Sequence, residues 1–152
     1  MDDVNLEISP EDSAREIVPI NLVDMIQSVI LEMDSVLHEK KQAVDVSAPD
    51  LPQPVKLRPI LAQTGIRSML ELFRIHGPQG GQLTISIQEG VQVTKFSVRF
   101  FGPGLDETMF LCKGSGTETE QLISRIREAF PDVTMSGGPG LPTEFICPVD
   151  IA

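Results

Sequence analysis

Apolar residues recur at steps of three and four early in the chain. Leu22, Ile26, Val29, Met33 and Val36 fall on one side of a 3.6-residue period, with Asn21 placed before them as a cap, so the pattern predicts a helix over 22–39. From Gln42 to Ser47 the pattern alternates, with Val44 and Val46 inward as in a short strand, and the proline-bracketed PDLPQP (49–54) reads as a loop. Pro59 suits the first turn of a second helix, where a missing N–H costs nothing. That helix carries Ile60, Ala62, Ile66, Met69, Leu70 and Phe73 inward and runs to about Ile75, where GPQGG (77–81) ends it.

Beyond these glycines the period changes to two. Leu83, Ile85 and Ile87 alternate with Thr84 and Ser86, Glu89–Gly90 makes a turn, and residues 91–101 form the returning strand. Its apolar parity shifts between Val93 and Phe96, which predicts a bulge near Thr94–Lys95. Thr117 and Glu120 have capping-box spacing ahead of a helix bearing Leu122, Ile123, Ile126 and Ala129. Two closing strands, Val133–Met135 and Thr143–Val149, are joined by SGGPG (136–140). Helices interleaved with hairpins predict a two-layer α/β (α+β) sandwich, a mixed and mostly antiparallel sheet with three helices on one face. Residues 1–19 hold six acids, two prolines and no sustained period, and read as an acidic, extended leader before a single domain over 20–152.

Charge narrows the classes of partner. The chain of 152 residues has a net charge of −10, and residues 1–50 contribute −9 of it, with twelve acids against Arg15, Lys40 and Lys41. An acidic front half on a nearly neutral body disfavours nucleic acid and anionic membrane surfaces, both of which are gripped through Lys and Arg. The absence of Trp and Tyr weakens a base-stacking platform further. No apolar run approaches the roughly 20 residues of a membrane span, and Met1 is followed by Asp2 and Asp3 rather than by the basic start of a secretory signal. The expectation is a cytoplasmic protein in which Cys112 and Cys147, beside the apolar runs MFLC and FIC, are buried thiols.

The element order and four strings resemble the ATPase domain of histidine kinases and its wider kin, the Bergerat or GHKL fold of gyrase, MutL and the anti-sigma-factor kinases. PINLVDMIQSVILEMDSVLHEKKQAVDV is similar to the opening helix and strand of that family. KLRPILAQTGIRSMLELFRIHGPQGGQLTIS is similar to its asparagine-bearing helix and next strand, FSVRFFGPGLDE to its DxGxG strand-loop, and LISRIREAFPDVTMSGGPGLPTEFICPVD to its last helix and hairpin. The likeness spans residues 18–150.

The resemblance implies a nucleotide pocket, and it also implies that the pocket is degenerate. The family's Mg²⁺-ligating asparagine stands eight residues before the glycine pair, and eight before Gly80 is Leu72, which offers no oxygen to a hard cation. One turn earlier, where some relatives keep a general base, stands Ser68. Glu71 is the one acid nearby, and it points about 100° away around the helix. The adenine-reading aspartate of DxGxG is replaced by Phe100, although Gly102 and Gly104 remain. The last glycine motif shrinks to Gly114 and Gly116 beside an acidic run, with Lys113 the one base in it.

These substitutions imply a module without catalytic residues and without a metal or other cofactor, in which ATP and Mg²⁺ belong only to an alternative reading. Such a module acts in bacterial signal transduction through protein contacts, with a response regulator, a kinase or a sigma-factor antagonist as partner class, and self-association through the first helix or the leader as a further option. The alternatives are an active ATP-binding kinase domain, of the histidine-kinase or anti-sigma serine-kinase type, with a divergent pocket, and a small-molecule sensor that reuses the pocket for an apolar ligand. His38-Glu39 superficially matches a phospho-acceptor pair, but it ends the first helix, where a cation suits the dipole. His76 reads the same way at the end of the second helix. Two distant histidines without Cys–His spacing make no zinc site.

Overall fold

The computed structural model describes residues 16–101, 117–138 and 141–152. Asn21 caps the first helix, α1 (Leu22–Glu39), its side-chain oxygen accepting from the Asp24 N–H at 3.1 Å. The buried stripe of α1 is Leu22, Ile26, Val29, Met33 and Leu37, so Leu37 rather than Val36 closes it. The helix stops in a Schellman motif. Gln42 N–H donates to Leu37 C=O at 3.0 Å and Lys41 N–H to His38 C=O at 2.9 Å, with Lys41 at φ 55°, the left-handed conformation that such an end requires.

Ahead of α1 lies β1 (Val18–Ile20), and Val18 and Pro19 are the last two residues of the acidic leader segment. It pairs antiparallel with β3 (Val55–Leu57) in a two-stranded sheet, and neither strand is evident in the sequence. Three residues are too few to display a period. Between them runs β2 (Ala43–Ser47). The second helix, α2 (Pro59–His76), has Pro59 in its first turn as expected. Ile60 faces out, 50% exposed, and the inward face is filled instead by Gly65, Ser68 and Leu72 beside Ala62, Ile66, Met69, Leu70 and Phe73.

The main sheet has five strands in the order β2, β4 (Gln82–Glu89), β5 (Val93–Phe100), β7 (Leu141–Asp150), β6 (Thr134–Gly138). Strand β4 (Gln82–Glu89) lies parallel to β2, a pairing that needs the long crossover through α2, and every other neighbour is antiparallel. Strand β5 (Val93–Phe100) contains no bulge: its registers with β4 and β7 run without a break. The parity is constant because Thr94, a polar residue, occupies the inward site and is 1% exposed. The third helix, α3 (Glu118–Ala129), is capped by Thr117, whose hydroxyl oxygen accepts from the Glu120 N–H at 3.2 Å. Strands β6 (Thr134–Gly138) and β7 (Leu141–Asp150) are longer than expected and pair from Thr134↔Ile146 to Gly138↔Leu141.

Helices and strands share one apolar core, which holds the fully buried rings of Phe73, Phe96, Phe100 and Phe145. Phe96 meets Phe130 edge-on at 5.0 Å between ring centroids. Helices α2 and α3 approach closely at Gly65: a Cβ built there would lie 2.5 Å from the Ala129 Cβ and 2.9 Å from the Phe130 ring. The outward side chains of the sheet are polar or charged along β4 and β5, from Thr84 and Ser86 to Lys95, Ser97 and Arg99.

Candidate functional site

Ser68 and Leu72 stand one turn apart on the inner face of α2, an i, i+4 pair on one side of the helix. Ser68 is 2% exposed, and its hydroxyl donates to the Thr64 carbonyl at 2.8 Å, a bond within the helix. Leu72 has no exposed surface. Phe100 ends β5, is 1% exposed, and tilts against Phe73 at 5.3 Å between centroids. This corner is dry and aliphatic to aromatic in character. Its described side chains present no carboxylate or carboxamide, of the kind that ligates Mg²⁺ or reads an adenine amino group, and the oxygens beside it are the hydroxyls of Ser68 and Thr143. Gly102, Gly104, Gly114 and Gly116 lie outside the described residues, as do Cys112 and Lys113.

One polar group in this corner escaped the sequence reading. Thr143 is the direct cross-strand neighbour of Phe100, is 1% exposed, and its hydroxyl has no partner among the described residues. The signal was available: Thr143 is the lone polar member of the inward series Thr143, Phe145, Cys147, Val149. Cys147 in the same series is a free thiol, and burial pushes its pKa up, so it stays protonated and unreactive.

Polar chemistry gathers instead just past this corner, where the end of α2 meets the end of α1 and the start of α3. Arg74 clasps Glu71 through Nη2 at 2.8 Å and Nε at 3.2 Å, and that hydrogen bond raises the guanidinium pKa. Glu71, the acid nearest the family's base position, is therefore engaged by its own helix. Lys40 Nζ donates to the carbonyls of Arg74 and of Gly77, the latter at 3.1 Å. Gln42 Nε2 donates to the Phe73 carbonyl at 3.1 Å, so two side chains from the end of α1 satisfy the last carbonyls of α2.

His76 is not a plain surface histidine. Its Nε2 lies 2.8 Å from the Thr119 hydroxyl in the first turn of α3, and burial, helped by the charge of Lys40, lowers its pKa. His38, by contrast, is exposed in the last turn of α1. Among the described residues no three of His, Cys, Asp and Glu come together as metal ligands, and no helix is long and apolar enough to cross a membrane. The cavity that touches Phe100 opens on the outer face of the sheet and is lined by Thr84, Ser86, Ser97, Arg99, Phe101 and Glu144. That lining is polar, unlike the apolar chamber that a sensor reusing the pocket requires.

No protein family's sequence profile matches the chain, and no curated protein matches it. Solved structures do. The nucleotide-free catalytic domain of the histidine kinase ThkA superposes with a TM-score of 0.76 at 14% identity, covering 90% of this chain and 96% of that one. The histidine kinase AdeS of Acinetobacter baumannii gives 0.73 at 14% identity, over 90% of this chain and 68% of its own. The cytoplasmic segment of the histidine kinase QseC gives 0.66 at 16% identity, over 98% and 85%. Likeness at such identities is likeness of backbone, and by that measure the fold of this chain is the histidine-kinase ATPase fold.

Proposed function

We propose that the chain is a non-catalytic module of this fold, acting in bacterial signal transduction through protein contacts and without binding ATP. The observation that carries the reading is the burial of Leu72 and Phe100 in the common core, at the two positions where the resemblance sets the Mg²⁺ ligand and the adenine reader. Charge-assisted hydrogen bonds of the kind these residues cannot make are each worth about 1–3 kcal/mol. Micromolar affinity amounts to about −8 kcal/mol, so losing several such bonds removes much of it. The internally bonded Ser68 and the Glu71–Arg74 clasp support the same conclusion, since a buried hydroxyl is a poor base near neutral pH and the Arg74 guanidinium already engages the Glu71 carboxylate. Partner classes that suit the fold are a response regulator, a kinase or a sigma-factor antagonist, in the cytoplasm. The reading is of a surface that proteins recognise, on a scaffold whose chemistry has been replaced by packing.

Calorimetric titration of the chain with Mg–ATP tests this directly. No saturable heat is expected up to millimolar nucleotide. Binding in the micromolar range overturns the proposal and favours the competing one, an ATP-binding kinase domain with a divergent pocket.

A further inference from the structure

The strand registers align outward residues into rows that cross the whole sheet. One row runs Asp45, Thr84, Arg99, Glu144 and Ser136, and the next runs Ser47, Ser86, Ser97, Ile146 and Thr134. Over the middle of these rows lies the outer cavity, of about 320 Å³, at the lower end of the roughly 300–1,000 Å³ of small-molecule sites. Arg99 and Glu144 are direct cross-strand neighbours, a relation that puts Cβ atoms about 4.5–5.5 Å apart and ordinarily lets opposite charges pair. Here they do not pair. Among the described residues neither enters an ion pair, and the Arg99 guanidinium instead lies over the Phe101 ring, 5.6 Å from its centroid. The cavity thus presents a cation and an anion side by side, with three half-buried hydroxyls next to them.

We propose that this cavity binds a small zwitterion of the free α-amino acid class, its carboxylate on Arg99 and its ammonium on Glu144. A simple anion would meet Arg99 but be repelled by Glu144, and a simple cation would meet the converse; a neutral polyol would leave both charges without a counter-charge. Only a ligand carrying both signs a few ångströms apart answers both. Thr84, Ser86 and Ser97 complete the hydrogen bonding, because hydroxyls donate and accept. Phe101 holds the guanidinium over the cavity by a cation–π contact. This site lies on the opposite face of the sheet from Leu72 and does not depend on the absence of ATP binding.

The test is ligand-observed NMR on the full chain with a panel of the proteinogenic L-amino acids at millimolar concentration, with acetate and ethylammonium as single-charge controls. At least one amino acid is expected to bind and both controls to bind far more weakly. Glu144→Gln and Arg99→Gln should each weaken binding about tenfold or more, with the unfolding midpoint unchanged because both lie on the outer face of the sheet, away from the core. Ser97→Val, which narrows the cavity without touching either charge, should weaken it as well. The proposal fails if no amino acid binds the native chain at millimolar concentration, if acetate binds as well as any amino acid, or if both glutamine variants bind as the native chain does.

Discussion

Two neighbouring parts of α2 have opposite character. At Ser68, Leu72 and Phe73 the helix faces the sheet, and every side chain there is buried among hydrocarbons with its polar atoms bonded to the helix itself. Half a turn further, Arg74 and His76 leave the core and join Lys40, Glu71 and Thr119 in a polar junction among three helix ends. The contrast shows where the charged groups at this end of α2 are placed. They sit in structural ties at helix ends, outside the corner where the fold's resemblance to kinase domains leads one to look for them.

The strongest way to break that contrast is to put a charge in the dry corner. Phe100→Asp is expected to cost about 3–5 kcal/mol, the range for an uncompensated buried charge, read as a fall in the denaturant midpoint near neutral pH. An unchanged midpoint would mean that water reaches residue 100, and the proposed function would lose its main support. Gly65→Ala comes next, at about 1–3 kcal/mol of overpacking, because the new methyl group must displace Ala129 or the Phe130 ring on α3. Thr143→Val sharpens the reading of the corner itself: removing a buried hydroxyl without a described partner should raise stability by about 1 kcal/mol. A loss instead would show that the hydroxyl is bonded in the folded chain.

The smallest effect belongs to the polar junction and is one of pH. Because the His76 pKa is lowered on folding from its ordinary 6.5, the unfolded chain takes up the proton first as pH falls. Stability is therefore full above about 6.5, the unfolded pKa, and declines as pH drops through the window beneath it. In His76→Asn that part of the slope should vanish, and Thr119→Val, which removes the hydroxyl partner, should alter it. NMR titration of the His76 imidazole reads the same shift directly.

The dry corner and the polar junction were not equally legible. Leu72 and Phe100 drew attention from the sequence because their motif context made an aliphatic and an aromatic residue conspicuous. That Ser68 would bond to Thr64, and Glu71 to Arg74, follows from helical spacing of three and four once α2 is placed. The His76–Thr119 contact was missed because it joins residues far apart in sequence, and Thr143 was missed although its place in the inward series of β7 marked it. The expected bulge at Thr94–Lys95 was an error of the opposite kind: hydropathy placed Val93 inside, whereas continuous ladders on both sides of β5 hold Thr94 there. Polar identity lost to register.

The one-dimensional pattern determined which segments become helices and long strands, because a 3.6 or 2.0 period is a local property that burial merely exploits. Caps at Asn21 and Thr117 were likewise local. Tertiary structure alone decided the short pairing of β1 with β3, the close approach at Gly65, the burial of the Thr143 hydroxyl without a partner among the described residues, and the rows that set Arg99 beside Glu144. Each of those depends on which strand or helix lies next to which, and neighbour order in a sheet is fixed by the packing of the whole core rather than by any stretch of a few residues.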